Sequence, residues 1–106
     1  MEKVTIVVPK EKLGGDRVMS QIKGKKFYLN APDGSKIPVV KTRCYDWQKG
    51  YDVTEYHSGY VLIKSVHLIG KGKFQDKAQA FFDRLVKEVG ADSVMKTIKD
   101  APKLND

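Results

Sequence analysis

The sequence predicts an α+β fold, a single small domain over residues 1–106 in which an antiparallel sheet packs one face against carboxy-terminal helices. Three observations point there. β-Branched and aromatic runs divided by turn residues come first in the chain. An apolar stripe at helical spacing comes last. The 106 residues, 41% hydrophobic and 31% charged, suit one core that folds without staples.

Taken in order, residues 3–8, from Lys3 to Val8, are β-branched at almost every position and predict a strand that ends at Pro9, which has no amide to donate. Residues 10–25 read two ways. Gly14 and Gly15 interrupt the pattern, Asp16 is placed to cap a short helix bearing Val18, Met19 and Ile22, and a strand from Arg17 to Ile22 fits nearly as well. Residues 26–40 form a hairpin, because Phe27-Tyr28-Leu29 and Ile37-Pro38-Val39-Val40 flank the turn sequence Ala31-Pro32-Asp33-Gly34-Ser35. Pro38 inside the second run predicts a sheet edge or a bulge there.

Residues 51–69 form a second hairpin around His57-Ser58-Gly59. Its return strand, from Tyr60 to Ile69, is partly apolar on both faces and reads as a central strand covered by helix. Ala78, Phe81, Phe82, Leu85, Val86 and Val89 then lay one apolar stripe along a helix at about 76–89, with Asp76 and Gln79 as a capping box and Gly90 as terminator. Phe81 and Phe82 are both expected in the core. A shorter helix at about 93–100, capped by Asp92, buries Val94, Met95 and Ile98 and stops before Pro102. Residues 103–106 read as a frayed tail.

Charge narrows the function classes. The net charge is +7, and residues 1–49 hold 11 Lys/Arg against 5 Asp/Glu while residues 50–106 hold 9 against 8. The basic surface therefore belongs to the first half, which favours an anionic partner such as nucleic acid or an acidic protein face. No apolar run reaches the ~20 residues of a membrane-spanning helix, so no membrane partner is expected. Cys44 is the one cysteine, which fits a reducing, cytoplasmic setting.

Catalytic and metal chemistry find little footing. Cys44, His57 and His67 are the only soft or imidazole ligands, too few for a metal site, and no nucleophile motif or paired carboxylates are present. No enzyme activity, metal or cofactor is expected. Gly70-Lys71-Gly72-Lys73 precedes the main helix, yet its spacing is not that of a phosphate-binding loop and suits a solvated connector better.

The cluster that remains combines cations with aromatic rings. Lys23, Lys25, Lys26, Lys41, Arg43 and Lys49 are the candidate backbone contacts, and Tyr45, Trp47, Tyr51 and Tyr56 the candidate stacking residues. Rings beside lysines are what single-stranded nucleic acid requires. The same rings serve equally well as cross-strand packing or as anchors of a protein interface. The sequence thus supports a non-enzymatic basic binding module directed at nucleic acid. The alternative is a protein-interaction domain that pairs the edge near residues 37–40 or docks its aromatic patch, on another protein or on a copy of itself.

Overall fold

Strand-forming runs in the first part of the chain and helix formers in the last part give five strands and two helices in a computed structural model that describes residues 1–11, 17–43, 50–66 and 72–106. The strands are β1 (Glu2–Glu11), β2 (Arg17–Asn30), β3 (Lys36–Arg43), β4 (Tyr51–Glu55) and β5 (Val61–Val66), followed by α1 (Phe74–Val89) and α2 (Ala91–Asp100). All neighbours are antiparallel and the sheet keeps chain order, β1-β2-β3-β4-β5. This is the α+β domain that the pattern predicts.

Side chains alternate across a strand, and here both faces of the sheet are buried in part. Phe27, Leu29, Ile37, Val39, Val53 and Val66 face the helices and pack on Phe74, Ala78, Phe82 and Val94. Val40, one residue beyond Val39, faces the other way into a smaller cluster with Ile6 and Val8, flanked by Val4, Ile22 and Tyr56. Among the described residues no helix covers that second cluster. It is closed by the sheet itself, which packs tightly at Gly24, where a Cβ would overlap the Lys41 carbonyl oxygen and Val40 Cγ1. Glycine at such a position lets two backbones approach closely. The turn at Gly59 closes the same side. Its φ is +73°, and an added Cβ would lie 2.6 Å from the Val7 carbonyl oxygen.

Several expectations are corrected by this arrangement. The ambiguous segment is strand from Arg17 onward, continuous with the first hairpin, and β1 runs through Pro9 to Glu11. Pro9 is tolerated because β1 is the outermost of the described strands and pairs with β2 alone among them. The strand from Lys36 to Arg43 is not an edge, since β2 and β4 flank it. Pro38 survives inside it through a substitute donor: its carbonyl accepts the Tyr56 amide at 2.9 Å, and the Tyr56 carbonyl, which a residue with an N–H would have bonded, accepts Asn105 Nδ2 at 2.9 Å instead. The return strand of the second hairpin, in turn, is the last strand of the sheet rather than a central one. Residues 67–69 of that expected strand lie outside the described residues.

The tail is docked, not frayed. Asn105 accepts the Val7 amide on Oδ1 at 2.8 Å and returns Nδ2 to the Val7 carbonyl at 2.9 Å, imitating the hydrogen-bonding pair of a neighbouring strand. The amides of Leu104 and Asn105 donate to the His57 carbonyl at 2.6 and 2.9 Å, and His57 Nδ1 donates to the Asn105 carbonyl at 2.9 Å. His57 is accordingly half-buried.

Helix boundaries differ in one instructive way. α1 starts at Phe74, with Lys73 at the N-cap and no side-chain cap, so Asp76 lies in the first turn. Gln79 is drawn away from the expected capping box: it accepts the Asn30 amide at 2.7 Å and donates to the Asn30 carbonyl at 3.1 Å, pinning the helix to the end of β2. Gly90, at φ +104°, ends α1 as expected and also serves as the N-cap of α2, in place of Asp92. In the first hairpin turn, Asp33 accepts the Ser35 hydroxyl and amide, which holds its carboxyl below the usual 3.8.

Along α1 the expected apolar stripe is only partly buried. Phe82 is 0% exposed and Phe81 42%, because the stripe is centred on Phe74, Ala78 and Phe82. Phe82→Ala should therefore lower stability by about 3–5 kcal/mol, whereas Phe81→Ala should cost less than about 1 kcal/mol. Urea denaturation of the two variants separates them, and equal losses would contradict this core.

Candidate anion-binding face

Strand register decides which charges share a face. Lys3 is paired with Lys25 and Lys25 with Lys41, so three lysines stand in one row across β1, β2 and β3. Lys23 and Arg43 lie two residues from that row on β2 and β3, and so on the same face. Adjacent strands are about 4.8 Å apart and alternate residues about 7 Å. Five cations thus share a patch about 10 Å wide.

The cations are not equivalent. Lys3, Lys23, Lys25 and Arg43 are exposed. Lys3, Lys23 and Lys25 with Thr5 line an open depression of about 400 Å³ floored by Val4 and Gly24. Lys41 is half-buried and folds over the helix-side core, with Nζ 4.2 Å from the ring centre of Tyr51 and 4.6 Å from that of Phe74. Tyr51 in turn meets Phe74 edge-on, with centroids 5.9 Å apart. This cation–π contact ties the end of the row to the core.

Two of the expected residues lie on the opposite face. Lys26 places Nζ 4.0 Å from the Tyr56 ring centre and 5.7 Å from that of Tyr28, and the Tyr56 hydroxyl donates to the Asp106 carbonyl at 2.9 Å. Lys26 and Tyr56 therefore brace the concave side and the docked tail. The structure brings together Lys23, Lys25, Lys41, Arg43 and Tyr51 and sets Lys26 and Tyr56 apart from them. Tyr45, Trp47 and Lys49 lie outside the described residues, as do Gly70 and Lys71 of the glycine–lysine loop.

Lys3 is the member that sequence reasoning missed. Its signal was the register of β1 on β2, which follows only once residues 17–25 are known to be strand.

No family model matches the chain, nor does any curated protein or solved structure. The chemistry of the face must then be argued from its own residues. Like charges directly opposite one another on a sheet destabilise it by some tenths of a kcal/mol, and the Lys3–Lys25–Lys41 row places two such pairs side by side. Among the described residues no group of three His, Cys, Asp or Glu side chains is placed to hold a metal ion. No described helix is long and apolar enough to cross a membrane.

If the row is self-repulsive, salt should stabilise the folded chain by screening it. Lys25→Thr, which keeps a strand-forming residue, should raise the melting temperature at low salt and remove part of the gain that added salt gives the parent chain. A variant that melts lower at both salt levels would show that Lys25 is structurally required instead.

Proposed function

We infer that this chain is a non-enzymatic binding module for an anionic polymer, nucleic acid before others, and that the polymer lies on the Lys3–Lys25–Lys41 face. The observation that supports the reading is the row of lysines on neighbouring strands, extended by Lys23 and Arg43, beside an open depression. A folded chain gains nothing by stacking like charges on neighbouring strands. A phosphate backbone laid across them converts that repulsion into attraction and releases counterions.

The rings in this reading divide by location. Tyr51 and Tyr56 are half-buried and engaged within the chain, so Lys3, Lys23, Lys25 and Arg43 supply the contact, and it is made to phosphates more than to bases. Base stacking falls to Tyr45 and Trp47, which follow Arg43 in the sequence. Recognition of this kind is tolerant of sequence, because neither phosphates nor stacking faces distinguish one base from another.

The test is a titration of Trp47 fluorescence with a short single-stranded oligonucleotide across a salt series. The plot of log affinity against log salt should be steep. The triple substitution of Lys23, Lys25 and Arg43 by Ala should flatten its slope by about one for each cation removed. Affinity that is flat with salt, or unchanged in the triple variant, overturns the reading.

A further inference from the structure

We propose, on the footing that the Lys3–Lys25–Lys41 face holds nucleic acid, that the depression between β1 and β2 seats the terminal phosphate of the bound strand. The depression follows from the register. Lys3 stands opposite Lys25 and Thr5 opposite Lys23, with the pair Val4 and Gly24 between them. Side chains alternate along each strand, so these four flanking residues point to one side and Val4 to the other, where it packs on Ile6, Val8 and Val40. Gly24 has no side chain to raise on either side. The floor is therefore bare backbone. Three lysines and a threonine rise from its corners, about 5 Å apart across the strands and about 7 Å along them.

The composition of this well selects its occupant. All four corner residues are exposed, and the depression, about 400 Å³ in volume, has no carboxylate in its lining. Three ammonium groups repel a metal ion or an amine, so the occupant is an anion. Internal and terminal phosphates differ in both charge and shape. An internal phosphate carries one charge and has a sugar on each side, so it lies along a surface. A terminal phosphate carries about −1.5 to −2 at pH 7 and has three acceptor oxygens. Held by a single ester bond, it enters a well end-on. The three ammonium groups match that charge more closely than they match a diester, and they meet its oxygens with charge-assisted hydrogen bonds. The Thr5 hydroxyl adds a neutral donor at the fourth corner.

The surroundings set the path of the rest of the strand. β1 is the outermost of the described strands, so among them the row of cations ends at the well. On the other side Lys41 is drawn onto the rings of Tyr51 and Phe74, which leaves Arg43 as the exposed cation at this end of β3. A strand whose end is seated between β1 and β2 therefore passes Arg43 next.

The experiment is a competition on the full chain. A single-stranded oligonucleotide labelled on an internal base, so that both ends are free, is displaced by unlabelled strands of the same sequence. These carry a 5′ phosphate, a 3′ phosphate or neither, and an unphosphorylated strand one nucleotide longer controls for added charge. At least one phosphorylated strand should bind about tenfold more tightly than both unphosphorylated ones, and the strand that gains identifies the end that is held. Thr5→Val, which keeps a β-branched residue in β1, should cut that advantage about threefold. Lys3→Thr should cut it further, and the melting temperatures of both variants are measured alongside. Equal affinity for all the strands, with binding that still weakens steeply with salt, would overturn the end site and leave the nucleic-acid face standing, whereas no binding of any strand would overturn both. An advantage unchanged in both variants, or a phosphoserine peptide that displaces the probe better than the phosphorylated strands, would also overturn the proposal.

Discussion

The burial of β3 on both faces is the constraint on which the rest of the structure depends. Val39 and Val40 are adjacent and both 0% exposed, which a sheet with one wet face does not permit. One face is covered by α1 and α2, as in any two-layer α+β domain. Among the described residues no helix covers the other, and there the sheet packs on itself. Gly24, Gly59 and the docked tail are the means: one lets β2 pack closely on β3, one lets the second hairpin approach β1, and the third closes the seam between them. Thr42 and Thr54, buried on that side, satisfy each other with hydroxyls 3.0 Å apart, which keeps the concave cluster free of an unmatched polar group.

The same packing sorts the cations. With one face of β1 and the first half of β2 set toward Val40, the other faces outward, beyond the cover of the helices. Lys3, Lys23 and Lys25 are carried on that outward surface, while Lys26 points inward onto Tyr56. Two lysines adjacent in sequence thus acquire separate tasks, one facing solvent, the other bracing a ring.

Much of the architecture was legible because periodicity and turn chemistry are local. The first hairpin follows from Pro32, Asp33 and Gly34, the second from Gly59, and α1 from the spacing of Ala78 and Phe82. What the sequence concealed was non-local. Strand order cannot be read from Pro38, because the donor that makes it tolerable comes from Asn105 at the far end of the chain. Phe74 was overlooked as a core residue since it precedes the apparent cap. Phe81 was overvalued since a stripe does not reveal its own centre line. Of the candidate face, the basic first half was visible in composition, but its arrangement into a row required the β1–β2 register, and Tyr51 and Tyr56 proved to be joined to opposite cores.

The bond between Asn105 and Val7 joins residues 98 positions apart. Contacts of such separation are the slowest to form, and this one completes a seam that the first hairpin leaves open. During synthesis, which proceeds from the amino terminus, β1 emerges long before the residue that shields its outer edge. The nascent chain therefore presents an unshielded strand until Asn105 leaves the ribosome, and in that interval β1 is most exposed to pairing with a neighbouring strand.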